Sequence, residues 1–359
     1  MAAFTGMLKA NEIYGSIYNM IISQLVFGDN IAGVGGDLVD RARVDGGLYG
    51  DTKLYYATDV LHSNPWGNDA EATKLLELNR PADPKCQAIR LDKFRQIKIT
   101  LDEYLTKRAW GDADSFAQFT SIMLDWVGQT KRIYDATTYN AFIGTDETDV
   151  GAQKKTINVT AAVGSATGEE AARIKGAAIA QGVADLITDL KDISRDFNDY
   201  GFLRSYNLDD LVFVWNSAVV NEVEKRDLPT IYHKDIVDKL GENVLPSRYF
   251  GKVNTGATKG KADGTIRSLI EQKIGNKQYF AGDAITDTAA EAPAGTSYTV
   301  DNTIAFKVFA KGSVPFMSAF EVGTSFFNPQ SLTTNHYLTW GHNTLEHLSN
   351  YPMITVRLA

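Results

Sequence analysis

Asp112-Ala113-Asp114-Ser115-Phe116-Ala117-Gln118-Phe119 opens the stretch on which the reading of this chain turns. Ser115 followed three residues later by Gln118 is a capping-box pattern, in which each side chain satisfies a backbone N–H of the first helical turn. Asp112 and Asp114 put negative charge where a helix dipole favours it. Beyond them Phe116, Phe119, Met123, Trp126, Ile133 and Phe142 recur at helical spacing, and Gly144 is a stop signal. The pattern predicts a helix over 115–142. At 1.5 Å per residue it is about 40 Å long, more than the usual globular helix, and reads as a spine on which other parts hang.

Immediately upstream, residues 85–101 change period. Ile89, Leu91, Ile97, Ile99 and Leu101 are apolar while Arg90, Asp92, Lys98 and Thr100 are polar, which predicts a strand with one wet face. Cys86, between Lys85 and Gln87, is expected as a buried small side chain. Residues 28–66 are rich in glycine, with short apolar pieces such as Leu54-Tyr55-Tyr56, and read as an extended excursion with little core of its own. Pro65 and Gly67 mark a turn within 64–68, so two extended stretches flanking a turn-rich middle suggest a long projecting loop. That loop has too little apolar content to bury Tyr49, Tyr55, Tyr56 and Trp66, which favours a partner surface for them over folding back. Further upstream, Ile13, Ile17, Ile21 and Leu25 suit a one-sided helix. Packing on its own core and packing on a neighbouring subunit both fit that spacing.

Downstream, 156–163 reads as a short strand, and Thr167 with Glu170 makes a second capping box. Ile174, Ala178, Val183, Leu186, Leu190, Ile193 and Phe197 continue it as a second long helix. Leu211 to Trp215 is a continuous apolar run, hence a strand buried on both faces, and Asn216-Ser217 can open a following helix. Residues 251–300 are dominated by Gly, Ala, Thr and Asp and read as loop or insertion, with a helix near Ile266 to Ile274. Ile304, Phe306 and Val308 alternate, and Ile354, Val356 and Leu358 form a closing strand that must pair with something laid down earlier.

The 359 residues suffice for more than one domain, and 44% hydrophobic with 22% charged residues is ordinary for a folded protein. A net charge of -8 argues against a protein that works by neutralising phosphates, though not against one that encloses nucleic acid loosely. The single cysteine rules out an internal disulfide and a cysteine-cluster metal site. No signal peptide is visible, and the apolar stretch from Ile13 to Phe27 is too short and too polar to span a bilayer.

Chemistry-bearing motifs are scarce. Gly33-Val34-Gly35-Gly36 lacks the lysine and hydroxyl of a phosphate loop, and Thr258-Lys259-Gly260-Lys261 lacks the strand-to-helix setting. His336, His342 and His347 lie at spacings of six and five that place no pair on one helical face, so they are expected at the surface or an interface rather than on a metal. No nucleophile elbow is present, and Glu169 and Glu170 are explained by a helix's first turn. The reading assigns no catalytic residue, cofactor or metal.

The order of these features resembles the Hong Kong 97-like fold of tailed-phage major capsid proteins. Ile97-Lys98-Ile99-Thr100-Leu101-Asp102-Glu103-Tyr104, leading into Asp112 to Gly144, looks like that family's strand and spine helix. Leu211-Val212-Phe213-Val214-Trp215-Asn216 looks like its axial-domain strand, and Tyr351 to Leu358 like its closing strand. The resemblance implies an α+β fold with an N-terminal arm (1–40), an extended loop (41–100), a peripheral domain with the spine helix (101–165), an axial domain (166–335, with 251–300 as loop or insertion) and a return to the peripheral domain (336–359). It further implies hexamers and pentamers closing into an icosahedral shell around double-stranded DNA, in the virion and, during assembly, in the host cytoplasm. Implied partners are copies of the chain, a portal protein, a scaffold (a separate protein, or a processed precursor) and a decoration protein, with no membrane. Ile13, Ile17, Tyr49, Lys53, Tyr55, Tyr56 and Trp66 are the expected inter-subunit contacts. Some members crosslink a loop lysine; Lys53 lies in the loop, but the remaining positions of that reaction are unmatched and the activity is not carried over. An encapsulin-like compartment shell and, from another class, a soluble carboxylate- or metal-dependent enzyme are the alternatives.

Overall fold

The computed structural model describes residues 36–47, 50–61, 63, 78, 80–102, 113–147, 154–224, 243–255, 271–274, 277–280 and 296–359. Ile13, Ile17, Tyr49 and Trp66, the early helix and the turn at 64–68 lie outside them.

The chain is α+β. Helix α1 (Gly36–Ala42) leads into the short strand β1 (Arg43–Asp45), and β2 (Thr52–Ala57) is followed by the 18-residue β3 (Lys85–Asp102). The spine is α2 (Ala113–Gly144), 32 residues and about 48 Å long. After it come β4 (Thr145–Glu147), β5 (Lys154–Ile157), α3 (Val159–Val163) and α4 (Gly168–Lys191). Next are β6 (Leu211–Asn216), α5 (Ser217–Glu224), β7 (Val244–Leu245), β8 (Gly251–Thr255), β9 (Glu271–Ile274), β10 (Lys277–Phe280) and β11 (Thr296–Val300). The chain closes with β12 (Ile304–Ala310), β13 (Phe316–Asn328), β14 (Thr333–Asn343) and β15 (Met353–Leu358).

Two five-stranded sheets carry the fold. The first runs β1-β13-β14-β3-β2. Its centre is antiparallel: β13 pairs β14 from Ser318↔His342 to Asn328↔Thr333, and β14 pairs β3 from Thr333↔Asp102 to Asn343↔Leu91. The front end of β3, Lys85 to Arg90, pairs instead with β2, so β3 serves two partners along its length. The second sheet runs β5-β15-β12-β6-β7. A sequence-derived boundary at 335/336 therefore falls inside β14, and one at 40/41 falls inside α1.

The spine joins the sheets by burying different parts of itself on each. Val127 and Tyr134 pack with Leu338 and Trp340 of the first sheet, over Ile97 and Ile99. Tyr139, Ala141 and Ile143 pack with Val212, Val214 and Phe309 of the second. Helix α1 adds Leu38, Val39 and Ala42 to that second cluster, so this part of the glycine-rich region carries core, contrary to expectation. The i, i+1, i+4 spacing of those residues gives a seven-residue helix one apolar face, and packing holds it. Ile133, on the expected apolar stripe, is 55% exposed; the buried stripe runs one residue on, through Tyr134 and Ala141. The helix ends at Gly144, where only glycine fits: a Cβ there would lie 2.2 Å from the Tyr249 carbonyl oxygen.

On the opposite face of the second sheet, α4 packs Ile179, Val183, Leu186 and Leu190 against Phe213, Trp215, Phe306 and Val356. Strand β6 is thus buried on both faces, as its unbroken apolar run predicts. Asn216 accepts the Ala218 N–H at 3.1 Å and opens α5. Other expectations fail for identifiable reasons. The Thr167 side chain makes no cap bond, so the second capping box is a pattern without its hydrogen bond. Helix α4 stops at Lys191; Phe197 reaches the core from the loop beyond it, and Ile193 faces solvent. Only the first part of 156–163 is strand, because the chain turns into α3 at Val159. Residues 271–274 are strand rather than the end of a helix.

Candidate assembly surfaces

Strands β2 and β3 form a two-stranded ribbon whose register sorts its side chains. Leu54 lies opposite Ala88 and Tyr56 opposite Cys86; Lys53 lies opposite Ile89 and Tyr55 opposite Gln87. Directly opposed residues share a face, and successive residues alternate. The inner face turns to the body, where Ile89, Leu91, Met317 and Leu348 form a small core joined by Val44, Tyr55 and Phe94. The outer face presents Leu54, Tyr56, Cys86 and Ala88 to solvent, with Leu54 52% and Tyr56 67% exposed.

The expected contact residues divide accordingly. Tyr56 stands on the open face. Tyr55 folds back onto its own chain, where burial pushes its phenol up. Lys53 is on the inner side and half-buried. Cys86, expected to be buried, is exposed, because the alternation of β3 puts it on the outer face with Ala88.

A second open surface lies on the first sheet, on the side away from the spine. There Val322 is paired with Thr339, Thr324 with Tyr337 and Phe326 with Asn335. Phe326 is 68% exposed. Around it run polar links: Gln96 Nε2 donates to Thr339 Oγ1 at 3.1 Å, Thr100 Oγ1 to Asn335 Oδ1 at 2.6 Å, and Lys98 Nζ sits 5.9 Å from the Tyr337 ring centre. Sequence reading missed this surface: it drew no strand over 316–328, although Phe316 to Phe327 is rich in β-forming residues.

Of the three histidines expected at the surface, two are internal rather than superficial, and His347 is partly buried. His336 and His342 face the spine from β14 and are 4% and 2% exposed. Six residues apart on a strand, they stand roughly 20 Å from one another and cannot share an ion. The His342 ring stacks on Phe316 at 5.5 Å. Arg95 Nε donates to Tyr134 Oη at 2.9 Å, Tyr134 Oη lies 3.1 Å from His342 Nε2, and His342 Nδ1 lies 2.8 Å from the Asn343 carbonyl oxygen. A carbonyl oxygen only accepts, so Nδ1 carries the proton and Nε2 accepts from the tyrosine: a neutral ring, consistent with burial lowering its pKa. His347 is also lowered by burial; its Nε2 meets the Tyr351 carbonyl oxygen at 2.8 Å and its Nδ1 lies 3.8 Å from Asp199. Among the described residues no three His, Cys, Asp or Glu side chains gather as a metal site, and no helix is long and apolar enough to cross a membrane.

Charge pairing ties the spine to its surroundings. Buried Asp135 meets Arg43 at 3.3 Å and Lys131 at 3.6 Å, and Lys131 reaches Glu321 of β13 at 3.2 Å. Such a chain of ions fixes how β1, α2 and β13 sit together more than it adds stability.

No family model matches the sequence, and no curated protein is similar to it. Solved structures are. A chain in the capsid structure of Staphylococcus phage Andhra matches over 93% of this chain and 87% of its own length, with a TM-score of 0.58 at 11% identity. A chain in the structure of the head fiber and inner core protein gp22 of native bacteriophage P68 matches over 92% and 87%, with a TM-score of 0.60 at 13% identity. The fold is that of tailed-phage capsid proteins. The mixed α+β architecture fits the Hong Kong 97-like fold.

Proposed function

We propose that this chain is the major capsid protein of a tailed phage, self-assembling as hexamers and pentamers into an icosahedral shell that encloses double-stranded DNA. The observation that carries the proposal is the shared fold over 92–93% of the chain. The surfaces described above support it: a subunit that works by interlocking needs apolar groups outside its own core, and Tyr56, Leu54 and Phe326 are such groups. Of the contacts proposed from sequence, Tyr56 stays as the ribbon's anchor. Ile13, Ile17, Tyr49 and Trp66 stay as contacts of the arm and the loop, and Lys53 and Tyr55 act from the inner side.

In this reading the arm comprises residues 1–40, the extended loop 41–100, and the spine with the strands beside it the peripheral domain. The axial domain comprises 166–335, with 251–300 as loop or insertion, and 336–359 return to the peripheral domain. Identical subunits then meet non-identical neighbours through adjustable arms around a rigid spine. Partners are further copies of the chain, a scaffold, a portal and a decoration protein. Contact with DNA is weak and non-specific, as the net charge of -8 favours. The chain acts in the virion, and in the host cytoplasm while shells form. It acts by assembly and not by catalysis. The encapsulin-like and enzyme readings draw no support from the structural neighbours.

Negative-stain microscopy of the purified chain, with and without a crowding agent or a co-expressed scaffold, tests the proposal. Closed shells or hexameric and pentameric rings are expected. A monodisperse monomer under every condition overturns it.

A further inference from the structure

The ribbon is gripped at its root by its own chain. Just beyond β2, Asp59 Oδ1 accepts the Leu203 N–H at 3.0 Å, and Arg195 Nη1 donates to Asp59 Oδ2 at 2.6 Å. The neighbouring Thr58 carbonyl oxygen accepts from Arg204 Nη2 at 2.6 Å. Arg195 is itself braced on the Gly201 carbonyl oxygen at 2.7 Å.

The returning strand is gripped as well. Gln87 Nε2 donates to the His347 carbonyl oxygen and Gln87 Oε1 accepts the Ser349 N–H, both at 2.9 Å. Asp92 accepts from the Thr344 N–H at 2.8 Å and from Thr344 Oγ1 at 2.7 Å.

The gripping loops, 192–206 and 344–351, are stiff and mutually tied. Ser194 and Arg204 exchange backbone hydrogen bonds at 3.0 Å, and the Asn198 side chain brackets Phe202 at 2.8 and 2.7 Å. The Asp199 N–H donates to the Ser349 carbonyl oxygen at 2.9 Å, and Tyr206 Oη to that of Asn350 at 3.2 Å.

We infer that these two loops form a socket that fixes the direction in which the extended loop leaves its own subunit, with Asp59 as its pin. A lone exposed ion pair would hold little. Here a backbone N–H, which loses no side-chain freedom on bonding, and a braced guanidinium converge on one carboxylate, whose pKa the Leu203 N–H and then Arg195 hold down at about 2. The grip is polar and lies at the surface, so it orients the ribbon without belonging to the apolar core. The loop's course is thus set within the subunit before a neighbour is met. The consequence for shells rests on the assembly reading; the socket itself does not.

Cys86 is the only cysteine, is exposed, and stands on the ribbon opposite Tyr56, so a spin label there reports ribbon motion in the full chain. Asp59→Asn and Arg195→Gln are expected to raise the label's mobility. Asp59→Asn is also expected to speed hydrogen exchange of the Leu203 amide roughly tenfold, because the acceptor loses its charge, while the Val183 and Leu186 amides of α4 keep their protection. Unchanged mobility in both variants and unchanged Leu203 exchange in Asp59→Asn overturn the inference. Lost protection throughout α4 in both variants also overturns it, because Asp59 would then be holding the fold rather than the loop. These readouts need no shell, so failure of the wild-type chain to assemble would remove the capsid reading and leave the socket to be judged by the label.

Discussion

Every residue of β12 is buried, whereas β2 buries only Ala57 fully and leaves Leu54 and Tyr56 in solvent. Both strands belong to five-stranded sheets of one chain. The second sheet has α4 on one face and the end of the spine on the other, so it is finished within the subunit. Among the described residues the first has the spine on one face only, and its ribbon has a core on the inner side alone. A strand closed on both sides tolerates no loss of volume, while an open face can change without cost to the fold and so is available for contacts.

The largest effect is expected from a cavity in the second sheet. Phe306→Ala, which empties a site where the ring stacks 4.3 Å from Trp215, is expected to cost about 3–5 kcal/mol in a urea unfolding experiment. A cost near that of a surface substitution would show that the second sheet is not the closed one.

Next comes an effect of acid on the joint between spine and first sheet. The folded state lowers His342 from its ordinary value of 6.5, so the unfolded chain binds the extra proton first. The stability this provides is complete above 6.5 and is lost as pH falls below it. His342→Gln should flatten that part of the stability–pH curve, with the residue of the slope coming from His347, which is lowered in the same sense. An unchanged curve in the variant would mean that His342 is not held neutral by its setting.

Asp59 acts in the same sense over a lower range. Its carboxyl is lowered from 3.8 to about 2, so its contribution is whole above 3.8 and disappears as pH falls toward 2. The mobility of a spin label on Cys86 should rise as pH falls across that interval in wild type and change less in Asp59→Asn.

The smallest effect on stability, and the one that sharpens the contrast, is expected on the open faces. Tyr56→Ser and Phe326→Ser should each leave unfolding within about 0.5 kcal/mol of wild type. Particle yield by sedimentation should fall in both. A large loss of stability in either would mean that the open face is part of the subunit's own core.

What the sequence made legible follows the same division. The spine, β6 and the closing strand were readable because each carries its period in its own residues: helical recurrence before Gly144, an unbroken run from Leu211 to Trp215, alternation to Leu358. In β12 the alternation of Ile304, Phe306 and Val308 was legible, yet Lys307 between them is itself buried, and no local pattern announces that. Helix α1 and Phe197 are core only because distant elements arrive over them. Of the surfaces, Tyr56 was nameable from sequence, but its separation from Tyr55 needed the register of β2 on β3. The socket residues Asp59, Arg195 and Gln87 were invisible, since their partners lie 136 and 260 or more positions away for Arg195 and Gln87.

The path of the chain between the sheets has a consequence for how the molecule is made. It lays down β3, crosses by the spine to build β5, β6 and β12, goes back to supply β13 and β14, and crosses again for β15. Neither sheet comes from one continuous stretch, so no cleavage in a connecting loop can release half of the molecule as an independent piece. Pairings this distant close slowly and together. A nicked subunit is therefore still tied together through both sheets, and the second sheet is finished only once the last strand, β15, has been supplied.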